Sequence, residues 1–235
     1  MNGILLIDKP KEWTSFDVVN KVRRMVQVSE LNTSQKKRFP VGHTGTLDPL
    51  ASGLLVLLLG TYTKYAPGLT KLDKTYEVVM KLGETSTTGD NEGEKTAVSD
   101  VRPSRASVMA ALAQFEGDTM QTPPAFSAIK INGQRAYKLA RSGKAPELAP
   151  RPIHITSNVL THYDYPYVAF TTHVTSGTYV RSLVEDLGKA LGVGAYMAEL
   201  RRTTVGAYQL SDALSMDGLT PERIAAALQT IEPVA

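Results

Sequence analysis

Apolar and polar positions recur with two different periods along this chain, and the periods sort it into strands and helices. Gly3–Asp8 (G-I-L-L-I-D) and Leu54–Leu59 (L-L-V-L-L-L) are short, wholly apolar runs, the pattern of a strand buried on both faces. Lys74–Leu82 alternates instead, with Tyr76, Val78, Met80 and Leu82 on one face and Glu77 and Lys81 on the other, so it predicts a half-buried strand. Ile153–Leu160 and Val168–Thr175 are strand-like and are joined by a Tyr/Pro-rich turn at Tyr163–Tyr167. Arg201–Tyr208 reads as a further strand.

The helical period appears four times. Thr14 with Asp17 three residues on forms a capping box, after which Val18, Val19, Val22, Met25 and Val26 fall on one face. Ser104–Phe115 carries Val108, Ala111, Leu112 and Phe115 at helical spacing, and Gly117 stops it. Ser176-Gly177-Thr178, with Thr178 as the expected cap, precedes a helix that buries Val180, Leu183, Val184, Leu187 and Leu191. Thr220-Pro221 opens the last one, followed by Ile224, Leu228 and Ile231. Between these lie an expected exposed loop at Ser29–Pro40 and a short connector at Thr61–Thr70, read as one helical turn or two stopped by Pro67-Gly68. A glycine-rich turn is expected around Gly89–Gly93. Thr122–Pro152 holds five of the thirteen prolines and reads as a long excursion from the sheet. Strands and helices mix without a regular βαβ alternation, which predicts an α+β fold with one mixed, mainly antiparallel sheet flanked by helices, all in a single domain over 1–235.

Composition narrows this picture. With no cysteine, disulfides, thiolate metal sites and a cysteine nucleophile are excluded. No apolar run approaches about 18–20 residues, and the N-terminus lacks the pattern of a signal peptide, so a soluble cytoplasmic protein is expected. The net charge of +3 is small, but the cations cluster. Lys21, Arg23, Arg24, Lys36, Lys37 and Arg38 form one basic segment, and Lys130, Arg135, Lys138, Arg141, Lys144 and Arg151 another. Such clusters fit either a polyanionic partner or a solvated face.

The chemistry concentrates in Val41–Leu59, V-G-H-T-G-T-L-D-P-L-A-S-G-L-L-V-L-L-L. Its glycines and Asp48-Pro49 describe a loop that presents His43 and Asp48 beside a buried strand. Asp48 is a catalytic candidate or a simple turn residue. The four histidines show no ligand spacing and no G-x-S-x-G elbow exists, so metal and serine-hydrolase readings lack support. Tyr76 is a core residue or a ring on which a base can stack. Arg181 lies in the first turn of a predicted helix, against the helix dipole, and so calls for an anionic partner: a phosphate, or a carboxylate such as Asp48.

Several blocks then resemble one family, the TruB-type tRNA pseudouridine synthases: K9-P-x-x-x-T-S15, G42-H-T-G-T-L-D-P-L-A-S-G53, D73-K-T-Y76, G89-D, P123-P-x-F-S-A-I-K130, G133-x-x-A-Y137-x-x-A-R141, S176-G-T-Y-V-R181 and L200-R-R202. They follow the family's order from Lys9 to Arg202. The resemblance implies an isomerase that converts the T-loop uridine at tRNA position 55 to pseudouridine by base flipping, with no cofactor and no metal. It implies Asp48 as the catalytic carboxylate (nucleophile or base), Tyr76 as stacking partner of the uracil, and Arg181 as partner of Asp48. His43, Tyr179, Leu200, Lys130 and Arg141 would bind the RNA, the last two on a thumb-like insertion at about 122–152. A tRNA partner bound through its T-arm, a monomer without obligate protein partners, and a chain without the small C-terminal PUA domain follow from the same resemblance. Two positions depart from the family pattern: Glu12 stands where glycine is usual and Phe126 where tyrosine is common. Rival readings are a non-catalytic RNA-binding protein on this scaffold, a guide-directed synthase, and an unrelated hydrolase.

Overall fold

A computed structural model describes residues 1–29, 38–127, 129–131, 133–136, 139, 142 and 148–230. Among the described residues the main sheet has ten strands and is mixed. Along its path the order is Leu214–Ser215, β1 (Gly3–Lys9), β3 (Ser52–Leu59), Ala195–Val205, β4 (Lys74–Leu82), Tyr167–Val174, Arg151–Asp164 and Gly117–Gln121. The short β2 (Val41–His43) pairs with β3, and Tyr208–Gln209 pairs with Ala195–Val205. The expected class, α+β around one mixed sheet with flanking helices, is what is observed. Among the described residues no helix is long and apolar enough to cross a membrane.

The chain divides into two compact units, Met1–Tyr76 with Arg201–Ala235, and Glu77–Leu200. In the first, β1 and β3 pair antiparallel over seven residues, from Gly3↔Leu59 to Lys9↔Gly53. Because successive side chains on a strand point to opposite faces, these two apolar strands feed two cores. Leu5, Ile7, Leu55, Leu57 and Leu59 pack with Val18, Val19, Val22 and Val26 of α1 (Ser15–Gln27). Ile4, Leu6, Leu54, Val56 and Leu58 form the other core, covered by Tyr62, Ala66, Leu69 and Leu72. All eight residues of β3 are buried, as its continuous apolar run requires.

Helix α1 begins at the expected capping box. The Asp17 amide donates to Thr14 Oγ1 at 3.0 Å, and the Thr14 amide donates back to the Asp17 carboxylate at 3.0 Å. Those bonds, from the Thr14 side chain first, hold the Asp17 carboxyl below its ordinary pKa. Three local expectations need correction. Pro67-Gly68 does not stop the connector. A 3₁₀ stretch Gly60–Tyr65 runs into a helical turn Ala66–Leu69, where proline occupies the first turn and costs no hydrogen bond. The strand expected from Arg201 starts earlier, at Ala195, and folds into a hairpin at Gly206. Finally, Ser29–Pro40 is not wholly exposed. Residues 30–37 lie outside the described ones, but Phe39 is 1% exposed, held under α1 by Gln27 and Arg23.

In the second unit Tyr167–Val174, Arg151–Asp164 and Gly117–Gln121 form an antiparallel set. The alternation of β4 is as expected, with Val78, Met80 and Leu82 buried. Arg105–Gln114 and Val180–Ala190 are helical. The polar stretch after Gly83 is a hairpin, Glu84–Ser86 with Lys95–Ala97, whose strands are too short and too polar to show a period. Within the expected thumb, the described residues include a small hairpin, Lys130–Ile131 with Gln134–Arg135. Arg141, Lys138 and Lys144 lie outside the described residues, as do the side chains of Lys130 and Arg135.

Candidate active site

Asp48 sits in the loop between β2 and β3, half-buried, and the loop around it is pinned from several sides. The Ser15 hydroxyl accepts from the Leu47 amide at 2.8 Å and donates to the Leu47 carbonyl at 3.0 Å, so the residue before Asp48 is tied to the start of α1. The Asp48 carbonyl accepts from the Ala51 amide at 3.0 Å, closing a tight turn through Pro49. The Pro49 carbonyl accepts from the Glu12 amide at 2.7 Å and lies 3.4 Å from the Lys9 ammonium. Lys9 also donates to the carbonyls of Pro10 and Trp13 and is 0% exposed, an ammonium solvated entirely by the protein.

Arg202 completes the clamp. It is 1% exposed, and its guanidinium donates to the Leu54 carbonyl at 2.8 Å and the Gly45 carbonyl at 3.1 Å, bracing both ends of the loop. It reaches them because Arg202 runs beside Gly53 in a parallel pairing. Gly53 has φ +100, and a Cβ there would collide with the Arg202 backbone. Lys74 is 6% exposed and packs at Gly45 as well. Burial brings both Lys9 and Lys74 down to about 8, Lys9 against the attraction of Asp48 and Lys74 further through Arg202. Burial, then Arg202, also lowers the His43 pKa below its ordinary value, leaving the ring neutral at pH 7. Its Nδ1 accepts from the Gly45 amide at 3.3 Å, which leaves the proton on Nε2 as a donor. The loop thus offers a carboxylate beside buried cations and a neutral imidazole. Tyr76, 7% exposed on β4, belongs to the same unit.

Glu12 is the one described residue other than glycine with positive φ, +69. The bond from its amide to Pro49 explains why that geometry is kept, at the position where the family pattern has glycine. Glu12→Gly is expected to raise stability by about 0.5–1 kcal/mol, the left-handed penalty outweighing glycine's entropy. Glu12→Ala should gain nothing. Urea midpoints of the three proteins check this; an equal gain from alanine would place the effect in the carboxylate rather than the backbone.

Arg181, Tyr179 and Leu200 belong to the second unit. The helix that carries Arg181 starts at Val180, with Tyr179 as its N-cap and no side-chain cap bond. Thr178 is therefore not the cap, and its hydroxyl is buried without a partner among the described residues. Gln121 does the fastening instead: its amide accepts from Tyr179 N at 2.7 Å and donates to Tyr179 O at 3.0 Å. The anion that Arg181 calls for includes Asp90, 3.4 Å away, with 7% and 3% of the two residues exposed. Arg181 also donates to the carbonyls of Thr88 at 3.2 Å and Phe126 at 2.8 Å. Asp90 is in turn oriented by the Thr88 hydroxyl and the Glu92 amide. Leu200 is 8% exposed at the unit's last position. Among the described residues no three His, Asp or Glu side chains gather at metal-ligand spacing.

Lys9, Ser15 and Arg202 shape the Asp48 loop, and Gln121 and Asp90 hold the start of the helix that carries Arg181, yet sequence reasoning gave none of them a role. The available signal was that each lies in or beside a block of the resemblance without an obvious job there. Residues 31–180 match the profile of the TruB family pseudouridylate synthase N-terminal domain, and 181–231 that of the tRNA pseudouridylate synthase B C-terminal domain. The chain belongs to the TruB family. Relatives named tRNA pseudouridine synthase B support this. One from Opitutus terrae is 43% identical over 93% of this chain and 87% of its own. One from Burkholderia lata is 42% identical over all of this chain and 70% of its own. Solved structures agree in fold. A Cbf5-Nop10-Gar1 complex gives a TM-score of 0.72 at 27% identity, over 97% of this chain and 60% of that one. An H/ACA RNP bound to a substrate RNA containing 2′-deoxyuridine gives 0.65 at 26%, over 91% and 51%. Within the TruB family frame, His43, Asp48 and Tyr76 fall in the first profile, and Arg181 and Leu200 in the second.

Proposed function

We propose that this chain isomerises a uridine of tRNA to pseudouridine, acting on position 55 of the T loop. The observation that carries the reading is the Asp48 loop: a half-buried carboxylate on a loop whose backbone is held by Ser15, Lys9, Glu12 and Arg202, in a chain of the TruB family. The names of the relatives, tRNA pseudouridine synthase B, supply the substrate class. In this reading the target nucleotide leaves its stack, which costs a few kcal/mol, and phosphate contacts offset that cost. Lys130 and Arg141 are assigned to those contacts, and His43, through its Nε2 proton, to the opened loop. The N1–C1′ bond of the uridine breaks, the uracil turns, a C5–C1′ bond forms, C5 loses its proton to water and N1 takes one up, so the product is an isomer of the substrate. Asp48 acts on the sugar as nucleophile or base, Tyr76 stacks on the uracil, and Arg181 balances charge in the reacting complex. Tyr179 and Leu200 line the base.

The balance of that reaction prescribes its own assay. A tRNA transcript carrying tritium at uridine C5 should release about one tritium per molecule into water when incubated with the protein. No release from a correctly folded T arm would overturn the proposal. Release from a transcript lacking a uridine at position 55 would move the target elsewhere in the tRNA.

A further inference from the structure

Phe16 is 59% exposed in the first turn of α1, an unusual place to spend an aromatic ring. Two independent ties locate it. Its neighbour Ser15 exchanges two hydrogen bonds with Leu47, which puts the helix start beside the residue preceding Asp48. The other tie runs along the helix. Phe16, Asn20, Arg23 and Gln27 form one row at helical spacing. At the far end of that row Gln27 Oε1 accepts from the Phe39 amide, and one step nearer Arg23 donates to the Phe39 carbonyl at 3.2 Å and the Val41 carbonyl at 2.9 Å. The row therefore follows the chain from Phe39 through β2 toward His43. Eleven residues of helix rise about 16 Å, and five residues of extended chain span about the same. The row's last member, Phe16, thus falls level with His43–Thr44. Gln27 and Arg23 are partly covered by that chain, whereas Phe16 is left open.

We propose that Phe16 is a stacking platform for the nucleobase next to the target uridine in the RNA, a positioning residue for substrate. This rests on the RNA-modifying reading above. An exposed aromatic face at the helix start that Ser15 ties to the Asp48 loop suits a base that has left the T loop's own stack together with its neighbour, and stacking tolerates any base because each has a π face. The nearby Trp13 does not compete for the role, since it packs against the core and carries the Lys21 ammonium over its ring at 5.2 Å.

The test uses a T-arm RNA hairpin with 2-aminopurine placed beside the target, together with the tritium-release assay. Phe16→Ala should raise KM about tenfold, within the roughly 5–150-fold that loss of one base–aromatic stack represents, with kcat within about twofold. It should also abolish the fluorescence change that the wild type gives on binding. Phe16→Tyr and Phe16→Trp should behave as wild type, and Phe16→Leu as Ala. Wild-type KM and fluorescence in Phe16→Ala, or in Phe16→Leu, would overturn the stacking role while leaving the enzyme reading intact. A fluorescence change that depends on Phe16 without tritium release would do the reverse.

Discussion

Asp48→Ala and Asp48→Asn should lower tritium release from C5-labelled tRNA by about 10⁴-fold or more, with tRNA affinity changed less than about threefold. The size follows from the proposed role: a group that acts on the reacting atoms has no substitute in the loop, and removing such a group costs about 10⁴–10⁶ in other enzymes. The fold has reason to survive. The turn is closed by the Asp48 backbone, and the loop is held by Ser15, Lys9, Glu12 and Arg202. Asparagine keeps the shape and removes the charge, so its failure would assign the effect to the carboxylate. Lys9 offers a second readout. The attraction of Asp48 props up its lowered pKa, so in Asp48→Asn the Lys9 amine should titrate further below about 8. Release above about 1% of wild type in either variant would remove Asp48 from the chemistry.

Arg202→Met should cost about 2–5 kcal/mol of stability, seen as a fall in thermal midpoint of about 5–15 °C. Two effects oppose each other. Losing the guanidinium leaves the carbonyls of Gly45 and Leu54 buried without their donor, at about 1–3 kcal/mol each. Against this, Arg202 repels Lys74 and Lys9, and that repulsion disappears. The hydrogen bonds win, because both lysines owe their lowered pKa first to burial rather than to Arg202. Arg202→Lys keeps the charge without the fork that spans two carbonyls and should recover less than half of the loss. In Arg202→Met the Lys74 pKa should rise from about 8. A variant as stable as wild type, with Lys74 unmoved, would show that the loop is braced by something else.

Much of the architecture could be read from residue order alone, because its strongest elements combine local and global signals. β3 is apolar at every position and buried at every position, and α1 carries its capping box and its valine stripe in register. The turn at Asp48 and the anionic need of Arg181 were legible for the same reason, one from turn chemistry and one from a charge at the wrong end of a helix. What could not be read was long-range polar satisfaction. Lys9 looks like the polar end of a strand, yet it is fully buried, because the nearby carbonyls of Pro10 and Trp13 and the distant one of Pro49 surround its ammonium. Arg202 looks like one of two adjacent surface arginines, but the Gly53 contact draws its backbone against β3. Its neighbour Arg201 instead pairs with Asp8 at 2.8 Å. Arg23, which composition counted with a basic segment open to a polyanion or to solvent, spends its guanidinium on the carbonyls of Phe39 and Val41. Charge counts are blind to such internal uses.

The discontinuity of the first unit has a consequence for synthesis. Its sheet and its α1-side core are finished by late-arriving chain: Leu214–Ser215 pairs with β1, Gln229 exchanges bonds with Ile4, and Met216, Leu219 and Ile224 fill the layer under α1. The ribosome makes all of Glu77–Leu200 between the two halves, so the second unit has the opportunity to fold first, while β1, β3 and their exposed leucines wait. Such long-range closure slows folding. It also means that the loop bearing Asp48 acquires its Arg202 brace only after that late segment has emerged, so a nascent chain can hold the carboxylate without yet holding it in place.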